Sequence, residues 1–94
     1  MRGLNSIKQQ LAEAIQLLED SGLHEQAQEL ASHCPSLEEG SDRVHALTSI
    51  AGLCHIRAFG DLNVPSSPGW SWSNRLGKLE ARCRKLIRAL DENT

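Results

Sequence analysis

The chain is expected to fold as an all-α bundle of about four helices, a helical hairpin followed by two longer helices, and three observations lead there. Apolar residues recur three and four positions apart, most regularly in Trp72, Leu76, Leu79, Cys83, Leu86 and Leu90, which places one narrow stripe along a helix. Residues that end helices lie between such runs, at Gly22, Pro35, Gly60 and the stretch from Pro65 to Gly69. Hydrophobic residues make up 39% against 23% charged, and Trp70, Trp72 and Phe59 are the only aromatic side chains, so the interior is aliphatic and disorder is disfavoured. With 94 residues the chain reads as one domain, 1–94, too small for separate catalytic and binding domains.

The first helix is placed at about 5–21. Ser6 with Gln9 three residues on makes a capping box, and Leu4, Ile7, Leu11, Ala14 and Leu18 form the seam. Gly22 supplies the left-handed conformation that closes a helix and starts a reversal. A second helix, 23–34, turns Leu23, Ala27, Leu30 and Cys34 inward and stops at Pro35, which has no N–H for another helical bond. Helices one and two are therefore an antiparallel hairpin.

Residues 36–40 read as a connection, with room for one turn around Leu37 after a Ser36 cap. The third helix spans 41–59. Its seam is Val44, Leu47, Ala51, Cys54 and Ala58, but Ala46, Ile50, Leu53, Ile56 and Phe59 add apolar surface on other faces, so it is expected to be buried nearly all round. The loop 60–71 carries Pro65, Ser66, Ser67, Pro68 and Gly69. The fourth helix, 72–91, tolerates Gly77 at a cost of about 1 kcal/mol, because burial of each large aliphatic seam residue stabilises by about 1.5–3 kcal/mol before entropy.

Several function classes are disfavoured. A net charge of −2 exerts no general pull on nucleic acid or membrane. No apolar run approaches the ~20 residues of a spanning helix, and Lys8, Gln9, Gln10 and Glu13 break any leader-like segment, so the chain is expected in the cytoplasm. Cys34, Cys54 and Cys83 are odd in number, widely spaced and on seam positions, which suits buried reduced thiols. No metal site is expected: His33–Cys34 and Cys54–His55 are adjacent pairs whose side chains diverge on a helix, and no CxxC or HExxH spacing occurs. No phosphate-cradling glycine loop and no paired acid and base are present, so neither a cofactor nor catalytic residues are assigned, and the chain is read as not an enzyme.

Three surface features remain. The extra apolar residues of the third helix, Ile50, Leu53, Ile56 and Phe59, are either the centre of the core or a face covered by a partner or a second copy. Trp70, outside the seam beside Pro68 and Gly69, either anchors a partner or pins the loop. The fourth helix also carries Arg75, Lys78, Arg82, Arg84, Lys85 and Arg88 away from its seam, while the chain up to Asp42 is acidic. A solvated helix face is the plain reading of these cations, and anion or nucleic-acid binding is the alternative.

The function expected from this pattern is non-enzymatic binding to another protein or to itself. Size and helical make-up resemble those of small accessory proteins carried by phages and mobile elements, a likeness of composition that implies an inhibitor of a host protein. The alternatives are a nucleic-acid-binding regulator using the basic face of the last helix, and an oligomeric sponge for a small anionic ligand.

Overall fold

A computed structural model describes residues 2–38, 42–54, 64–66 and 70–92, and among these the fold is all-α. Four helices of eight residues or more, α1 (Arg2–Asp20), α2 (His24–Ala31), α4 (Arg43–Leu53) and α5 (Trp70–Glu92), are joined by the five-residue α3 (Cys34–Glu38). Helix α5 packs along both α1 and α4; α2 packs on α1 and α3 on α4. The two seams written most regularly in the sequence are the two that meet. Ile7, Leu11, Ala14 and Leu18 from α1, and Trp72, Leu76, Leu79 and Cys83 from α5, are all 2% exposed or less.

The α1–α2 reversal forms as the glycine implied. Gly22 has a φ of 79°; its N–H donates to the Glu19 carbonyl at 3.0 Å, and the Leu23 N–H donates to the Leu18 carbonyl at 2.9 Å. These two bonds make a Schellman motif, which satisfies carbonyls that the end of α1 would leave orphaned. Leu23 packs against the core, and Glu19 Oε2 lies 2.6 Å from His24 Nδ1 across the turn. Of the long connection, Val64 is buried and the Ser66 N–H donates to Ser21 Oγ at 3.1 Å, which fastens that segment to the same reversal.

Several expectations change. Helix α1 starts at Arg2 rather than Asn5 or Ser6, because Leu4 belongs to the buried seam and extends the helix through the proposed capping box. Helix α2 stops at Ala31. The turn allowed around Leu37 does form, but it starts at Cys34 rather than after Ser36, so Pro35 falls in its first turn, where its missing N–H would have no intrahelical partner anyway. Arg43 Nε donates to the Leu37 carbonyl at 2.7 Å, and Lys8 Nζ donates to Glu38 Oε1 at 2.8 Å, so α3 is tied to both α4 and α1.

The largest correction concerns α4. Ala46, Leu47, Ile50 and Ala51, with Cys54 just past its end, are buried, whereas Val44, placed in the seam from the sequence, is 39% exposed. His45, Thr48 and Gly52 are exposed beside it, so α4 has one buried side and one open side. Its apolar residues are spread around the helix axis, so periodicity could not rank the faces; packing on α5 selects the side that includes Ile50. The expected continuation to residue 59, with Ile56, Ala58 and Phe59, lies outside the described residues.

Adding a Cβ at Gly22 meets nothing within 4 Å, so the cost of a side chain there is conformational. Gly22→Ala is expected to lower unfolding free energy by about 1–2 kcal/mol, the usual penalty of the left-handed conformation, and Gly22→Asn by less. Leu79→Ala, at a position with 0% exposure, is expected to cost about 2–5 kcal/mol, and Leu79→Asp to abolish the helical signal. Urea titrations followed by circular dichroism check all three.

Candidate functional site

Helices α1 and α5 run antiparallel, and their seams meet on one side only. On the flank a groove remains, formed by three neighbouring depressions that share residues along its length. The first is a cleft of about 380 Å³ lined by Gly3, Ser6, Arg82, Lys85, Leu86 and Ala89. Ser6 and Arg82 carry on into a second of about 240 Å³, which adds Gln9, Gln10 and Glu13. Gln10 carries on into a third of about 360 Å³ with Ser71, Asn74, Arg75 and Lys78.

The geometry follows from helical spacing. Arg75, Lys78, Arg82 and Lys85 succeed one another by three or four residues, so they share one flank of α5. Arg84 and Arg88 project elsewhere, and Arg84 Nε donates to Glu80 Oε2 at 3.2 Å within the helix. The six cations grouped from the sequence are thus divided into four that border the groove and two that do not.

Their partners divide them again. Arg75 Nη1 donates to Glu13 Oε2 at 2.8 Å, an ion pair that bridges the two helices. Among the described residues Lys78, Arg82, Lys85 and Arg88 make no ion pair. The groove therefore presents three unpaired cations beside one neutralised arginine. Two polar atoms at its base, Gln10 Oε1 and Arg75 Nε, are buried without a hydrogen-bond partner.

The residues put forward from the apolar faces fare differently. Ile50 is fully buried by the chain's own core, which withdraws it from any partner surface, and Leu53 is partly buried against that core. Ile56 and Phe59 lie outside the described residues, as does the side chain of Trp70, whose backbone opens α5. Small and polar residues of α1, chiefly Gly3, Ser6 and Gln10, were missed. The only signal for them in the sequence was that they flank the α1 seam on one side, which becomes informative once α5 is known to lie there.

The thiols are quiet. Burial pushes both Cys54 and Cys83 up from 9.0 to about 12; each thiol also feels the Glu80 carboxylate raising it and Arg84 opposing, and Cys54 is raised further by Cys83. Cys34 is raised mainly by partial burial and then by Glu38, against Lys8. Among the described residues no cluster of three or more His, Cys, Asp or Glu side chains is placed to hold a metal ion, and no helix is long and apolar enough to cross a membrane. No family model matches the chain, and no curated protein or solved structure matches it either.

Thiol alkylation proceeds through the thiolate, so Cys54 and Cys83 are expected to react with iodoacetamide at neutral pH only after denaturation, with Cys34 the fastest in the native protein. Peptide mapping after timed labelling checks this. Stability is expected to fall as pH rises above about 9, because the unfolded chain then ionises both thiols while the folded chain keeps them protonated until about 12. Replacing both by Ala is expected to flatten that part of the pH profile, read by urea titration at successive pH values.

Proposed function

We propose that this chain is a non-enzymatic binding module that engages an acidic surface of another protein through the groove between α1 and α5. The observation that carries the reading is the ladder of Lys78, Arg82 and Lys85 along one wall, with no ion pair to any described carboxylate. Exposed cations of this kind steer association and set specificity more than they stabilise the fold. Charge repulsion within the ladder is a cost to the free protein that an acidic partner reduces. An accessory protein or inhibitor that covers an acidic patch on its target would use such a surface.

Nucleic acid is the competing polyanion. A phosphate backbone gains its affinity from accumulated positive charge, and the groove offers only a short ladder of three cations. The apolar lining of the cleft at Leu86 and Ala89 also suits a protein side chain better than a phosphate. The small-anion alternative would use the depression at Ser71, Asn74 and Lys78, where a bound ligand would raise the melting temperature.

A photo-reactive amino acid at Ala89, beside the groove, is expected to cross-link a discrete partner, and the same group at Gly52, on the exposed side of α4, is not. Arg82→Glu with Lys85→Glu is expected to weaken that complex at least about tenfold, or ~1.4 kcal/mol, and increasingly so at low salt. Cross-linking from Gly52 alone, or salt-sensitive duplex DNA binding lost in the double variant, would overturn the reading. Light scattering behind a sizing column separates a foreign partner from a second copy.

A further inference from the structure

We propose that the cleft between Gly3 and Leu86 is an anchor pocket for one bulky apolar side chain carried on an acidic amphipathic helix of a partner protein. This rests on the groove being the binding surface and specifies what occupies it.

The first argument is where the core surfaces. Of the buried hydrophobic residues, Leu86 at 8% and Leu4 at 7% are the least covered, and Leu86 lines the cleft with Ala89 and Gly3. Seam burial on α5 fades toward this end, from 0% at Leu79 and Cys83. Val44, at 39%, is more exposed, but it stands on the open side of α4, whereas Leu86 lines a depression.

Gly3 supplies the second. It lies in the first turn of α1, where glycine is a poor helix former, and a Cβ there would sit 3.7 Å from Leu86 Cδ1, an ordinary contact. Packing therefore does not require glycine. What the missing side chain does is leave the cleft open, and any larger residue would project into it.

Charge supplies the third. Arg82 and Lys85 border the cleft, and Lys78 continues the series along the same wall. Lys78 and Lys85 are seven residues apart, about 10.5 Å along the axis. A helix lying in the groove would place carboxylates at i, i+4 and i+7 against Lys78, Arg82 and Lys85, with an apolar residue at i+11, about 6 Å further along, level with Ala89 in the cleft that Leu86 also lines. This is the helix-in-groove mode, in which an apolar anchor gives affinity and flanking charges give register.

The test uses labelled synthetic helical peptides with Glu at i, i+4 and i+7 and Phe at i+11, compared with the Phe→Ala peptide, a peptide with Lys in place of Glu, and a duplex oligonucleotide. Binding is read by fluorescence anisotropy and by amide shifts of the labelled full chain. The expected result is binding of the parent peptide with shifts at Gly3, Ser6 and 82–89, weakened about tenfold or more by Phe→Ala and by Gly3→Leu in the protein. Ala89→Leu, which narrows the cleft from the α5 side at an exposed position, gives the same reading should Gly3→Leu disturb α1. Equal binding of the Phe and Ala peptides would sink the anchor pocket while leaving the acidic-partner reading in place. Binding of the oligonucleotide alone, or of no acidic peptide, would overturn both.

Discussion

The structure depends on one long helix having to satisfy two neighbours with a single stripe. Helix α5 offers Trp72, Leu76, Leu79, Cys83 and Leu86, all buried, and packs against α1 on one side and α4 on the other. Helices α2 and α3 then attach to α1 and α4 rather than to α5 in any extensive way. Without α5, the seam of α1 would have only α2 to cover it, and α4 would have only the short α3. Dispersion contacts are individually small but numerous at close packing, so the shared wall holds the two halves of the chain together more firmly than the exposed ion pairs between helices.

That wall was the part most easily read in the sequence, since a strict three-and-four spacing has one helical interpretation and nearly every residue assigned to the α1 and α5 seams is buried. The Gly22 reversal was equally legible, because a residue with positive φ is almost always glycine and Ser21–Gly22 follows the last seam residue of α1. Where the pattern weakened, the reading slipped. Apolar residues all round α4 carried no preferred direction, so Val44 was turned inward when packing on α5 turns it out. Pro35 reads as a stop in the sequence, although the same chemistry makes it a permissible start.

The groove was only half legible. Positive residues on α5 are plain in the sequence, but which of them share a channel depends on what lies alongside, and that neighbour is more than sixty positions away, as the Glu13–Arg75 pair shows. Helical spacing separates Lys78, Arg82 and Lys85 from Arg84 and Arg88; only tertiary packing makes the first set the wall of a groove. Gly3 and Ser6 carry no chemistry of their own that would single them out. Their part comes from being small beside Leu86 and Arg82.

Pairing the first described helix with the last also affects how the chain is made. At the pace of translation, roughly 5–20 residues per second, the 62 positions between Glu13 and Arg75 correspond to about 3–12 s during which α1 exists without α5. The α1–α2 hairpin closes early from local contacts, yet the α1 stripe that α5 will cover stays wet throughout that interval. A nascent chain of this kind is most exposed to aggregation in the interval before α5 emerges, so the pace of translation between α1 and α5 bears on its yield.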